Sequence, residues 1–323
     1  MNFVTLIYIS PITKRALKVC EIITITAPYS SSSSSTISKN ELGPYLAGLI
    51  EGDGHIYTPG PHIKKGVPYI EIAFDIKDKL LFLKIQEKLG GGYIAITPNG
   101  NSGRLIIKKQ AILFNLIYLI NGNMRTPKIE ALHRMINWFN LKNNQNFPLL
   151  GLDNTPLKNS SWLAGFLEAD ASFYLNWKLN AKGMPINIIY YLRISQKQTY
   201  NRKVDPTINI SNLPQMELIA ALFKNKVRII EREKATYTEK AYLVSTNTIE
   251  SNIQLFDYLN KYPIFGYKYF ASVNLYKIHD LALNKSYKTI EGKAALKLIE
   301  YTNSMKYNEN VHTWEHLNNF YEN

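Results

Sequence analysis

One nine-residue stretch occurs twice in this chain. Leu46-Ala47-Gly48-Leu49-Ile50-Glu51-Gly52-Asp53-Gly54 returns 117 positions later as Leu163-Ala164-Gly165-Phe166-Leu167-Glu168-Ala169-Asp170-Ala171. On a helix, Gly48 and Gly52 lie at i, i+4 on one face, as do Gly165 and Ala169, so each copy offers a smooth strip on which another backbone packs closely. The obvious partner for one strip is the other. Leu46, Leu49 and Ile50, matched by Leu163, Phe166 and Leu167, then bury in the core of their own half. The repeat therefore implies two equivalent halves meeting at one site.

Asp53 and Asp170 close the two apolar runs, and Gly54 supplies a helix stop in the first copy. A carboxylate there faces the negative end of the helix dipole, at a cost of a few tenths to about 1 kcal/mol. Packing the helices side by side brings two such carboxylates together. A divalent cation relieves that conflict, and hard oxygen ligands with spare water positions suit Mg²⁺. A local rule broken twice at equivalent positions marks a functional site.

Both stretches resemble the signature of the LAGLIDADG family of homing endonucleases and intron maturases, in the single-chain form with two copies, and the resemblance covers roughly residues 41 to 300. Glu51 and Glu168 stand where the family name has Asp, and Ala171 replaces the closing glycine. The resemblance implies an α+β fold of two pseudo-two-fold-related αββαββα repeats. Their two four-stranded antiparallel sheets would form a saddle along the DNA major groove, with the motif helices packed at the centre. It further implies that Asp53 and Asp170 bind catalytic Mg²⁺ at the scissile phosphates, so that an activated water attacks in line and the leaving 3′ oxygen is stabilised. Ca²⁺ is expected to support binding without cleavage. The family also carries a polar residue at the end of the second strand, for which Asp78 and Gln196 are the matches here. It carries a lysine after the fourth strand, matched by Lys109 with Lys108 beside it. The second half offers Asn247 instead, so the two active-site halves are expected to be unequal.

Hydrophobic periodicity gives each half the same order. After the first motif, strands are expected at His55 to Thr58 and Tyr69 to Lys77, where Ile70, Ile72, Phe74 and Ile76 alternate with polar neighbours. A helix at Leu80 to Leu89 follows, then strands Tyr93 to Thr97 and Arg104 to Lys108 around an Asn99-Gly100 turn, and helices at Gln110 to Ile120 and Pro127 to Asn140. The second half offers strands at Ser172 to Leu179 and Ile188 to Ser195, and an insertion-like segment at Gln198 to Asn212. After that come a helix at Pro214 to Lys224, strands at Lys226 to Arg232 and Lys240 to Ser245, and helices at Thr248 to Leu259 and Tyr267 to Leu281. The domain reading is a tail or linker at 1–40, the first repeat at 41–140, an Asn/Pro/Gly-rich linker at 141–160 and the second repeat at 161–323. For residues 1–40, with Lys14, Arg15 and Lys18 and the run Ser30 to Ser35, two readings stand: a mitochondrial presequence, or the remnant of an upstream reading frame.

The outward faces of the strands carry His55, Glu71, Asp75, Lys77, Arg104, Lys108, Tyr191, Arg193, Ser195 and Arg228, the set expected to contact double-stranded DNA. Arginine, lysine and amide side chains suit purine edges in the major groove, and basic loops suit phosphates. The net charge of +13 is spread over both halves, as one polyanion spanning both would require. The abundance of Lys, Asn, Ile and Tyr also fits an A/T-rich genome, so charge alone leaves both explanations open. One cysteine, Cys20, excludes an internal disulfide framework. No apolar run reaches 18 residues, so no membrane span is expected. No zinc-ligand spacing, phosphate-binding glycine loop or serine–histidine arrangement is present.

These readings converge on a monomeric, mitochondrial, Mg²⁺-dependent endonuclease cutting both strands of a long non-palindromic DNA site. The rivals are an RNA maturase engaging structured intron RNA and a decayed endonuclease that binds DNA without cutting.

Overall fold

Pro44 sits in the first turn of helix α1 (Leu42–Asp53), where its missing N–H is no loss. Its counterpart α5 (Trp162–Asp170) begins at Ser161, whose N–H donates to the Glu41 carboxylate at 2.9 Å and whose Oγ donates to the Glu41 carbonyl at 2.5 Å. The two motif helices thus start tied together. They stay in backbone contact because two positions lack a side chain. A Cβ on Gly48 would fall 2.0 Å from the Trp162 carbonyl oxygen, and one on Gly165 would fall 1.9 Å from that of Tyr45. Leu46, Leu49, Ile50, Leu163, Phe166 and Leu167 fill the core on the other faces.

This computed structural model describes residues 41–323 apart from 61, 64, 202–208, 305–312 and 322–323. The expected tail at 1–40 lies outside the described residues.

Each motif helix runs into an antiparallel sheet. In the first half β1 (Gly54–Tyr57), β2 (Tyr69–Asp75), β3 (Tyr93–Ile96) and β4 (Ser102–Ile107) are ordered β1-β2-β4-β3. In the second, β5 (Ala171–Leu179), β6 (Pro185–Lys197), β9 (Arg228–Glu233) and β10 (Thr238–Ser245) are ordered β5-β6-β10-β9. The fold is therefore the expected α+β pair of four-stranded sheets. Alternation works as anticipated: Ile70, Ile72 and Phe74 are buried in β2, and Leu192 and Ile194 in β6.

Helices back both sheets. Helix α2 (Lys79–Leu89) ends on Gly90 at φ +76°, and α3 (Gln110–Ile120) and α4 (Ile129–Asn143) complete the first half. The second half has α6 (Leu213–Leu222), α7 (Ile249–Lys261), α8 (Lys268–Leu283) and α9 (Ile290–Ser304). Helix α9 was not expected from the sequence. Its Leu296 and Ile299 pack with Ile278 of α8 against Leu175, Trp177, Ile188 and Tyr190 of the β5–β6 hairpin. Among the described residues, no helix is long and apolar enough to cross a membrane.

One local expectation needs correction. Strand β2 stops at Asp75 rather than Lys77, because the Asp75 carboxylate accepts the Lys77 N–H at 3.2 Å and caps a 3₁₀ turn, Ile76–Asp78. The segment Gln198–Asn212 contains a short ladder of β7 (Thr199–Asn201) and β8 (Asn209–Ser211), its connection lying outside the described residues.

Candidate active site

The close approach of α1 and α5 brings their acidic ends together. Asp170 Oδ2 lies 2.8 Å from where a Cβ on Gly52 would stand, so this carboxylate reaches across the helix pair to the residue preceding Asp53. Asp53 keeps an exposed edge, yet crowding by protein, and then the charge of Asp170, pushes its carboxyl up to about 6. Burial also raises Asp170, opposed by a hydrogen bond from Gln196 Nε2 at 2.8 Å. Both carboxylates are thus held where their own charge is unfavourable.

The carbonyls at each helix end are met by a lysine from the same half. Lys128 Nζ donates to the carbonyls of Ile50 at 3.0 Å and Gly54 at 2.9 Å. Lys268 Nζ donates to those of Glu168 at 2.6 Å and Ala169 at 2.8 Å. An ammonium at a helix C-terminus satisfies orphan acceptors and offsets the dipole. Burial lowers the Lys128 pKa, while Glu51, Asp170 and Asp53 act to raise it. The dipole conflict inferred from the sequence is therefore met first by these lysines.

The glutamates of the motif have a different task. Glu51 accepts from the N–H groups of Arg125 (3.0 Å) and Thr126 (2.5 Å), from Thr126 Oγ1 (2.6 Å), and from Trp162 Nε1 (2.5 Å) of the other half. Glu168 accepts from the N–H groups of Phe265 (2.6 Å) and Gly266 (3.1 Å), and from Tyr45 Oη (3.3 Å), again across the halves. Each glutamate fixes the turn that precedes its lysine: Thr126-Pro127-Lys128 and Gly266-Tyr267-Lys268. Each also takes one bond from the aromatic residue just before the opposite motif. Burial pushes Glu51 up to about 6, its four donors working against the rise.

Beyond the acids, the open sheet faces are polar. Tyr57 stacks on Tyr69 with ring centroids 4.8 Å apart, and Tyr174 on Tyr191 at the same separation. His55 is exposed on β1, and Arg104 lies 3.7 Å from Glu71. On the second sheet Arg193 Nε donates to Ser172 Oγ at 2.9 Å, Arg228 to Ser245 Oγ at 2.6 Å, and Arg232 to Ser195.

Two packed repeats, each ending a motif helix on an aspartate beneath an open antiparallel sheet, match a known sequence family. The family model described as "LAGLIDADG endonuclease" fits residues 46–139 and again 163–279. The chain belongs to the LAGLIDADG endonuclease family. Among its relatives is the intron-encoded DNA endonuclease aI3 of Saccharomyces cerevisiae, 29% identical over 88% of this chain and 74% of that protein. The intron-encoded RNA maturase bI4 of the same yeast is 29% identical over 48% of this chain and 22% of that protein. The fold is shared with I-SmaMI, solved with an uncleaved DNA target and calcium ions: TM-score 0.56, 18% identity, 81% of this chain and 98% of that one. It is shared too with I-LtrWI, a LAGLIDADG homing endonuclease bound to target DNA: TM-score 0.55, 18% identity, 82% and 98%.

Within the LAGLIDADG frame, strand register corrects several sequence assignments. Gly54 pairs with Ile72 and Ala171 with Ile194, so the first-half equivalent of Gln196 is Phe74, not Asp78. Phe74 is buried and stacked on Phe82. Asp78 instead accepts the Tyr267 N–H at 2.7 Å, and burial, then the charge of Glu168, raises its pKa well above the usual carboxylate range. Lys109 is also displaced. Strand β4 runs outward, so Leu105 lies level with Ile72, and Lys109 stands four residues farther out, roughly 13 Å of strand rise. Lys108 is exposed at the same end, matching Asn247 by register. Lys77, in the 3₁₀ turn, pairs with Asp75 at 2.9 Å and lies 5.2 Å above the Tyr267 ring. The cations that do adjoin the acids, Lys128 and Lys268, were missed. Their signal was a lysine at the start of the corresponding helix of both halves, α4 and α8.

The donor set tests whether a cation fits. Among the described residues no group of three or more His, Cys, Asp or Glu side chains could hold a metal. Two carboxylates, Asp53 exposed and Asp170 half-buried, do fit Mg²⁺, which takes one or two carboxylates and completes its shell with water and phosphate oxygens.

Proposed function

We propose that this chain is a site-specific DNA endonuclease that hydrolyses one phosphodiester in each strand of a long, non-palindromic duplex, using Mg²⁺. The observation that carries the proposal is the juxtaposition of Asp53 and Asp170, two like charges brought together where the motif helices run into the two sheets. In this reading Asp53 and Asp170 bind the cations, which when present supply Lewis-acid stabilisation of the phosphoryl oxygens. Gln196 fixes the orientation of the Asp170 carboxylate. Lys128 and Lys268 hold the helix ends and place positive charge where phosphate arrives. His55, Glu71, Arg104, Tyr191, Arg193, Ser195 and Arg228 are proposed to face the DNA, with Lys108 reaching phosphate at the rim.

Because one chain supplies both motif copies, it is proposed to act as a monomer, with residues 41–140 and 161–323 as the two repeats joined by 141–160. An organellar, mitochondrial setting is proposed from relatives such as the cox1 intron-2 protein of Schizosaccharomyces pombe, 25% identical over 80% of this chain and 71% of that protein. The likeness to a maturase supports intron RNA as a second partner.

Incubating the purified protein with randomised or intronless-gene DNA, in Mg²⁺ and separately in Ca²⁺, and sequencing the ends tests this reading. Discrete double-strand cuts in Mg²⁺ at one long site are expected. Specific binding in Ca²⁺ with no cuts in Mg²⁺ would mean a decayed enzyme, and no DNA specificity would leave the maturase.

A further inference from the structure

The two sheets differ in reach. The β1–β2 ladder ends at Tyr57 opposite Tyr69, three residues past Gly54. The β5–β6 ladder continues to Leu179 opposite Pro185, eight residues past the equivalent Ala171. Five extra residues on β5, and six on β6, whose register shifts at this end, add about 17 Å at ~3.3 Å per residue. Along a duplex rising about 3.4 Å per base pair, that is roughly five base pairs.

The extension is built to be rigid. Its inner face, Leu175, Trp177, Ile188 and Tyr190, is packed on Ile278 of α8 and on Leu296 and Ile299 of α9. Its tip is closed by an Asn180–Gly183 turn, in which the Asn180 side chain accepts the N–H groups of Lys182 at 3.0 Å and Met184 at 2.9 Å. The outer face carries Tyr174, Asn176 and Lys178 opposite Tyr191, Ile189 and Asn187, with Lys182 exposed at the tip. This face continues the Ser172–Arg193 row of the central sheet in register as far as Lys178 opposite Asn187, beyond which the register shifts. Amides and lysine are the groups that read purine edges in a major groove.

We propose that DNA recognition is off-centre: the second half reads about five more base pairs than the first, through Asn176, Lys178 and Asn187. The inference rests on the DNA-reading function of the same sheets and extends it to unequal half-sites. Helix α9 acts as the strut that holds the longer arm against the groove, and Lys182 meets backbone phosphate at its outer end.

The test is a binding selection of the full chain on randomised duplex in Ca²⁺, with positions numbered from the centre of the enriched site. Enrichment should extend about five base pairs farther on one flank. In Asn176→Ala and Lys178→Ala, preference at the outermost positions of that flank should fall to near-equal use of all four bases, with inner positions and thermal melting unchanged. A specific site whose information is symmetric about its centre overturns the inference while leaving the nuclease reading intact. So does a long flank indifferent to both variants. No enriched site at all overturns the DNA-reading function itself, and the inference with it.

Discussion

The first sheet leaves its motif helix through a four-residue ladder, whereas the second leaves through a nine-residue strand buttressed by α9. Where the halves touch, they coincide. Gly48 and Gly165 meet the opposite backbone at nearly the same distance, Glu51 and Glu168 each fix a turn and take a bond from across the interface, and Lys128 and Lys268 each cap a motif helix. The difference is one of constraint. Backbone contact, buried carboxylates and helix-end charge admit few solutions, while an exposed strand face admits many. Phe74, the register equivalent of Gln196, brings asymmetry into the centre: Asp170 takes an amide hydrogen bond from Gln196, and Phe74 has no such donor to offer.

The symmetric centre can be broken most completely at its closest contact. Gly165→Val should destabilise the fold by roughly 3 kcal/mol or more, since the added Cβ would overlap the Tyr45 carbonyl and overpacking cannot relax into backbone. Thermal or urea unfolding measures it, and a loss below ~1 kcal/mol would show that the helices can separate. Next come the lysines. Lys128→Ala and Lys268→Ala should each reduce cleavage by about 10²–10³, the scale of removing a preorganised charge beside a reacting oxyanion. Equal losses in single-turnover assays would confirm a two-fold centre, and an effect in only one variant would make the lysines unequal despite matching geometry.

Gln196→Ala sharpens the asymmetry. Freeing Asp170 should slow cleavage of one strand about 10-fold more than the other, so that a nicked intermediate accumulates on a supercoiled substrate. Equal slowing of both strands would place Gln196 outside the chemistry. A further prediction concerns Asp78. A buried carboxyl whose folded pKa is raised binds protons more tightly folded than unfolded, so stability falls as pH rises from the ordinary aspartate value near 4 toward about 8. Asp78→Asn can still accept the Tyr267 N–H and should flatten that decline, read as the difference in denaturation midpoint between pH 5 and pH 8.

The sequence revealed most where residues obey a short period. The motif helices, the buried alternation of Ile70, Ile72 and Phe74, and the Gly90 helix stop all come from local rules. It failed where partners come from afar. Lys128 lies 75 residues beyond Asp53 and reads locally as a solvated helix start; only the turn fixed by Glu51 aims it at the α1 carbonyls. Asp78 and Lys109 were misplaced because one capped turn at Asp75 and the outward run of β4 set positions that counting along the chain does not. Helix α9 was overlooked, and its apolar face finds its partner in the distant β5–β6 hairpin.

The proposed function requires that Asp53 and Asp170 serve the chemistry rather than the fold. The direct measurement pairs DNA binding in Ca²⁺ with cleavage in Mg²⁺ for Asp53→Asn and Asp170→Asn. Each variant should melt as the parent does and bind the selected site with nearly unchanged affinity, while cutting neither strand detectably. Retained cleavage, or loss of binding and folding together, would contradict the claim and make these aspartates structural.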